Sequence, residues 1–185
     1  MKVWKSGVMA LAAAVVGLAG GWWVSAGPVL PKPPKPSDEM ISLAGIKQFR
    51  LNVQPVLGFS KDVKSITEFA EKVFREQAEL AGFEIGQDSD LPSVTLTVIG
   101  NSDPDLPEAL SLYVAISVYQ PVYMDRLERK LVVPTATILK PELTTQGRLL
   151  DTLHDQVRFA VGMMKDFVET ADHYVSVTEP PNTGR

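Results

Sequence analysis

Asp151, His154 and Asp155 stand at i, i+3 and i+4, so a helix brings two carboxylates and an imidazole to one face. Such a trio could seed a metal site or an acid–base pair. A metal needs three or more ligands in a closed or nearly closed geometry. The chain's other histidine, His173, lies 19 residues further on, and Arg158 stands four residues from His154. A solvated helix face laced with charge is the plainer account. Asp88-Ser89-Asp90 and Asp103-Pro104-Asp105 have the oxygen-rich composition of calcium loops. They flank opposite ends of a strand at Ser93–Ile99, which at ~3.3 Å per residue keeps them roughly 23 Å apart. They cannot share one ion and are read as turns.

Other chemistries are excluded by what the chain lacks. It contains no cysteine, which removes disulfides, thiolate metal sites, a cysteine nucleophile and a lipid-bearing N-terminal cysteine. It has no phosphate-binding glycine loop, nucleophile elbow or paired-histidine zinc helix. No catalytic residue, metal ligand or cofactor is therefore assigned. The formal net charge is −4 and the basic residues are scattered, which argues against a nucleic-acid partner.

A sheet face is the remaining candidate. Between Leu112 and Val122, Leu112, Val114, Ile116, Val118 and Val122 share one parity, and Tyr113, Ser117, Tyr119 and Tyr123 share the other. On a pleated strand the two sets point to opposite sides. If the apolar set faces helices, the tyrosines face outward. Alternation in two neighbouring strands adds Arg50, Asn52 and Gln54 from one, and Thr95 and Thr97 from the other. Aromatic, hydroxyl and amide groups together make a surface suited to protein partners. Strand propensity alone also favours Tyr and Thr, so an ordinary solvated face is the competing account. The candidate contact residues are Asn52, Thr95, Thr97, Tyr113, Ser117, Tyr119 and Tyr123, with Tyr123 exposed to a phase shift if Pro121 makes a bulge.

The elements that must position this face follow from periodicity. Ile46–Val56 alternates, with Phe49, Leu51 and Val53 on one side. Ser65-Ile66-Thr67-Glu68 reads as a capping box opening a helix. Ile66, Phe69, Val73 and Leu80 form that helix's apolar stripe, with Glu68–Lys72 and Glu71–Arg75 pairs on the solvent side. Gly82 supplies its left-handed stop, and Phe83 folds back on the last turn. Strands follow at Ser93–Ile99, Ala109–Met124 and Lys130–Leu139, the last placed at an edge or bulge by Pro134. A final helix runs from about Thr145 to His173 and buries Leu150, Leu153, Val157, Val161, Met164, Val168 and Ala171. The order β-α-β-β-β-α predicts an α+β two-layer sandwich, with two helices on one face of a four-stranded, mostly antiparallel sheet.

An N-terminal hydrophobic helix is expected to precede this domain. Lys2 and Lys5 lead into Ser6–Leu30, where no residue is charged. Val24-Ser25-Ala26 offers the small residues that signal peptidase reads, giving a mature start near Gly27. Residues 8–26 are also long enough, at ~28 Å as a helix, to stay as a membrane anchor. Both readings place the remainder outside the cytoplasm, periplasmic or tethered to the inner membrane. In the tethered case residues 6–26 hold the membrane. Pro28, Pro31, Pro33, Pro34 and Pro36 then make a polyproline spacer. The division is residues 1–26 signal or anchor, 27–42 linker, 43–176 domain and 177–185 flexible tail.

Leu43-Ala44-Gly45-Ile46, Ala81-Gly82-Phe83-Glu84-Ile85, Leu91-Pro92-Ser93-Val94, Leu112–Tyr123 and Val157–Tyr174 resemble an uncharacterised group of exported bacterial proteins. The element order is similar to that of the lipoprotein subunit of the outer-membrane lipopolysaccharide translocon. This chain departs from that subunit in having no cysteine to carry lipid. Neither resemblance implies catalytic residues. The function expected is a non-enzymatic envelope module that binds an envelope protein. The alternatives are a periplasmic binder of a small or lipidic ligand, and an enzyme of unrecognised type.

Overall fold

A computed structural model describes residues 35–59, 62–103 and 105–178. All belong to one compact unit that begins at Lys35. The hydrophobic segment, the first part of the proline-rich stretch and the C-terminal residues from 179 lie outside the described residues. The expected N-terminal helix and its cleavage site therefore lie outside them too.

The described residues form an α+β domain, with three α-helices and one mixed sheet of five strands rather than four. In chain order the elements are α1 (Asp38–Ile41), β1 (Gln48–Val53), α2 (Val63–Leu80), β2 (Glu84–Ile85), β3 (Ser93–Asp103), β4 (Leu106–Met124), β5 (Arg129–Thr145) and α3 (Leu149–Thr178). The sheet order is β2-β1-β3-β4-β5. β1 runs parallel to both β2 and β3, while β3, β4 and β5 form an antiparallel meander. A parallel pair needs a crossover, and α2 supplies it between β1 and its two neighbours. This is why the expected mostly antiparallel sheet is half parallel. The fifth strand is two residues long and carries too little pattern to be read in advance.

Residues 38–41, within the stretch assigned to the linker, form α1. Ser37 caps it, its Oγ accepting from the Met40 amide at 3.2 Å. Lys35 donates to Asp38 at 2.8 Å. That hydrogen bond, reinforced by charge attraction, holds the Asp38 carboxyl below its ordinary range and the Lys35 ammonium above its own. Beyond α1, the Gly45 amide donates to Asp172 on α3 at 2.6 Å.

α2 starts two residues before the expected box. Asp62 occupies its N-cap with φ 58° and no side-chain capping bond, so Ser65 lies inside the first turn. Thr67 instead donates to the Val63 carbonyl at 2.7 Å and accepts from the Val56 amide at 3.3 Å, tying the helix to the chain leaving β1. Ile66, Ala70, Val73, Phe74 and Ala78 are buried, while Leu80 is exposed, one step off the stripe. Arg75 bonds Glu71 at 2.8 Å, but Glu68 pairs with Lys64 rather than Lys72. The C-terminus closes as a Schellman motif. Phe83 donates to Ala78 O and Gly82 to Glu79 O, both at 2.9 Å, with Gly82 at φ 88°.

α3 begins at Leu149, because Thr145 ends β5 and Gln146–Arg148 form a 3₁₀ turn. It continues to Thr178 and buries Leu153, Val157, Ala160, Val161, Met164, Val168 and Ala171. Leu150 is exposed in the first turn. Both long helices cover the same face of the sheet. There Phe49, Val94, Leu96, Val98, Leu112, Val114, Ile116, Val118 and Ile138 join the helical residues in one core.

β5 runs six residues past its expected end at Leu139. Pro141 does not stop it because β5 is an outer strand, where a missing N–H need leave no partner unsatisfied. Pro134 coincides with a bulge: Val118 faces Ala136 but Tyr119 faces Pro134, leaving Thr135 as the extra residue. Thr135 Oγ1 donates to the Val118 carbonyl at 3.3 Å, stabilising the irregularity.

Candidate functional site: the uncovered sheet face

The pairing register sets out this face row by row. Arg50, Ser93 and Tyr119 form one row, and Asn52, Thr95, Ser117 and Thr137 the next. Thr97, Ala115 and Leu139 follow, then Ile99, Tyr113 and Pro141, then Asn101, Ser111 and Leu143. The alternation that sends Leu112 to Val118 into the core sends this set outward, because partners in register share a side.

Six of the seven residues singled out from sequence meet here. Asn52, Thr95 and Ser117 share a row, Thr97 stands in the next, and Tyr119 and Tyr113 lie on either side. Tyr123 does not join them. β3 begins at Ser93, opposite Tyr119, so Tyr123 lies on a two-stranded extension, paired with Lys130. The bulge is in β5 and leaves β4 in phase, so distance along the strand separates Tyr123, not a change of side. Thr95 is only 5% exposed, which leaves its side chain almost no area to offer. Val122, expected against the helices, is exposed on the same extension.

Side-chain hydrogen bonds link the polar half of the face. Thr97 Oγ1 donates to Gln54 Oε1 at 3.0 Å, and the Ser117 and Thr137 hydroxyls lie 3.3 Å apart across β4 and β5. Arg50 is half-buried, and its Nε has no partner among the described residues.

The apolar half went unread in the sequence. Leu139 and Leu143 are 56% and 79% exposed, and Ile99 and Tyr113 are also open to solvent. Leu57 pairs beside Ile99 and extends the patch. The signal was present in Leu139-Lys140-Pro141-Glu142-Leu143, which alternates apolar and charged. Pro141 broke the run and hid it. The alternation is inverted relative to an ordinary solvated strand, with Lys140 and Glu142 on the helix side and the leucines on the open side. Near α3, Lys140 and Glu142 pair at 3.4 Å, and Gln156, fully buried, donates to Glu142 at 3.3 Å.

As a result, the open side of β3 from 93 to 101, β4 from 111 to 119 and β5 from 137 to 145 carries no charged residue. Charged residues make up 22% of the chain. Depletion of charge with retention of Tyr and aliphatic groups is the composition of an interface core.

The other sequence candidates resolve as local structure. The Asp90 amide donates to Asp88 Oδ1 at 3.0 Å, an Asx turn leading into β3. His154 Nδ1 lies 3.4 Å from Asp155 Oδ1, and Arg158 lies 3.6 Å from the same oxygen on an open helix face. Among the described residues, no group of three His, Asp or Glu side chains converges on a common point. A cleft of about 630 Å³ opens where the starts of α2 and α3 meet the end of β3 and the start of β4, lined by Phe59, Ile66, Phe69, Leu110 and Leu149. It is open on one side, with Asp62 and Gln146 at its wall. No described helix is long and apolar enough to cross a membrane.

No protein-family model matches the chain. No curated protein matches it either. Among solved structures, it overlaps a minor lipoprotein from Acinetobacter baumannii at 15% identity and TM-score 0.30, over 71% of this chain and 94% of that one. Rare lipoprotein B from Shewanella oneidensis overlaps at 16% identity and TM-score 0.32, over 70% and 98% of the two chains. An uncharacterised protein overlaps at 8% identity and TM-score 0.31, over 66% and 88%. Superpositions this loose describe what the chain is similar to and assign it neither a family nor an activity.

Proposed function

We propose that this chain is an exported, non-enzymatic module that binds an envelope protein through the open face of its sheet. The observation that carries the reading is the absence of charge across three adjacent strands of that face. A solvated face has no reason to place its leucines outward and its Lys140 and Glu142 toward the helices. A partner that removes the face from water does, because each apolar residue covered gains roughly 25 cal/mol per Å² and no charge has to be desolvated. Leu139, Leu143, Ile99 and Tyr113 form the centre of contact, and Thr97, Ser117 and Tyr119 its polar margin. Of the seven residues read from the sequence, Thr95 stands in a row of this face but is buried among its neighbours, and Tyr123 belongs to a different surface. Export rests on Lys2, Lys5 and the uncharged segment that follows them.

The alternative of a small or lipidic ligand has one location, the cleft beside Phe59 and Phe69. Its open side suits a lipid binder less well than a closed apolar chamber would.

A photocrosslinking residue at Leu139 or Tyr113 in cells tests the main reading, with Leu80 on α2 as the exposed control. Adducts are expected at the first two positions and not at Leu80. Leu139→Asp should weaken the same adducts by at least about tenfold with the melting temperature preserved. Equal adducts at Leu80, or adducts that survive Leu139→Asp, would return the face to a structural role.

A second prediction concerns the rim of this face, where the chain after β1 pairs in parallel beside β3. The Leu57 amide donates to Val98 O at 3.1 Å and the Gly100 amide to Leu57 O at 2.8 Å. Gly58 adopts φ 81°, and a Cβ there would run into the Gly100 carbonyl. Gly58→Ala meets both a backbone clash and an unfavourable φ, and should cost more than the ~1 kcal/mol of an ordinary left-handed alanine. Gly147→Ala has open space around its Cβ and φ outside that region, so it should be nearly neutral. Urea denaturation of the two variants measures the difference.

A further inference from the structure

The hairpin joining β4 to β5 projects beyond the rest of the sheet. From Gln120↔Val133 to Met124↔Arg129 the two strands pair only with each other. At ~3.3 Å per residue this arm reaches roughly 15 Å past the start of β3. Asp125–Leu127 turn at its tip as a 3₁₀ segment, and Glu128 closes the turn at φ 49°.

The arm exposes apolar side chains on both faces. Tyr123 and Val132 share one face, 56% and 64% exposed. Val122 and Met124 are exposed on the opposite face, and Leu127 at the tip. A two-stranded ribbon has no interior, so its side chains cannot hide from water within it, and such ribbons are marginally stable alone. A flat protein partner would cover one face and leave the other wet. Apolar groups on both faces and the tip call for an occupant that surrounds the end of the ribbon.

Arg126, Arg129 and Lys130 cluster around the same tip in a chain of net charge −4. Among the described residues none of the three pairs with a carboxylate. Long cationic side chains let an apolar stem lie in the acyl boundary while the charge reaches headgroup phosphates. Tyrosine settles at the same interfacial depth. Asp125 and Glu128 in the turn limit penetration to that depth. The chain also enters the domain at the arm's base: Gln120 Nε2 donates to the carbonyl of Ser42, just after α1, at 2.7 Å. Upstream of α1 the sequence carries the uncharged segment at residues 6–26.

We infer that this arm is a bilayer-contact element. Tyr123, Met124, Leu127 and Val132 enter the interface of a membrane bearing anionic lipid, and Arg126, Arg129 and Lys130 engage its headgroups. This contact is separate from the partner face, so either can fail without the other.

The natural absence of cysteine makes the test direct. The full chain, with a nitroxide at Leu127→Cys or Val132→Cys, is reconstituted into vesicles of phosphatidylcholine mixed with phosphatidylglycerol. Labels at Leu143→Cys and Leu80→Cys serve as controls. The ratio of oxygen to aqueous nickel-complex collisions is expected to be several-fold higher at the two arm positions than at the controls. Combining Arg126→Glu, Arg129→Glu and Lys130→Glu should return the arm ratio to the control value with the melting temperature kept. Arm labels as aqueous as the controls would overturn the proposal. So would labels shielded from both oxygen and nickel, which would mean a protein covers the arm. An unchanged ratio in the triple variant would overturn the headgroup role of the cations.

Discussion

Val157→Asp is expected to leave no folded domain, while Glu71→Ala melts within about 2 °C of the parent. Val157 is fully buried in the first third of α3, facing the strand core. An aspartate there has no cationic partner in the cluster, and an unpaired buried charge costs several kcal/mol. That is comparable with the whole stability of a domain, about 5–15 kcal/mol. Glu71 bonds Arg75 at 2.8 and 2.9 Å, but both side chains are more than a third exposed. Solvent screening leaves such an i,i+4 pair a few tenths of a kcal/mol. Circular dichroism melts of the two proteins distinguish these outcomes, and similar midpoints would mean α3 presents a different face to the sheet.

Phe49→Ala should lower the melting temperature by roughly 10–20 °C without preventing folding. Phe49 is fully buried on β1 and meets two other rings. It packs edge-on against Phe74 of α2 at 6.0 Å and 74°, and tilted against Phe83 at 5.7 Å and 58°. Truncation removes the ring, leaves a cavity and strips both partners of an aromatic neighbour, together about 3–5 kcal/mol. The β1–β2 pairing should loosen with it, since Phe83 leads directly into β2. Phe159 is the internal comparison. It is 45% exposed, with Lys140 Nζ 4.7 Å from its ring centre. Phe159→Ala should cost only about 1 kcal/mol. If Phe49→Ala melts no lower than Phe159→Ala, the three-ring cluster does not anchor β1.

The uncovered face and the projecting arm separate two functions that a single surface could not combine well. A face whose β3, β4 and β5 rows carry no charge is suited to close packing against protein, where desolvating an ion would oppose binding. An arm with apolar groups on both faces, and with cations that meet no carboxylate among the described residues, is suited to a surface that deforms around it and carries negative headgroups. The division falls at Tyr119, where β3 ends its pairing with β4.

Local patterns determined much of this protein. The period-2 run from Leu112 to Val118, the period-3.6 stripe from Leu153 to Ala171 and the Gly82-Phe83 stop are visible in the chain because each depends only on residues near in sequence. The same alternation placed Asn52, Thr97, Tyr113, Ser117 and Tyr119 on one side before any pairing was known. Tertiary structure decided what depends on neighbours far along the chain. That β1 runs parallel to β3 follows from the α2 crossover, and no pattern within β1 carries that direction. That Pro141 sits inside a strand follows from β5 lying at an edge, where a missing donor need not cost a ladder bond. That Leu139 and Leu143 turn outward while Lys140 and Glu142 face α3 follows from register against β4, which a bulge at Thr135 resets. That Tyr123 leaves the face follows from where β3 begins. Side-chain parity is a property of one strand, whereas which rows are covered, and by what, is a property of the whole sheet.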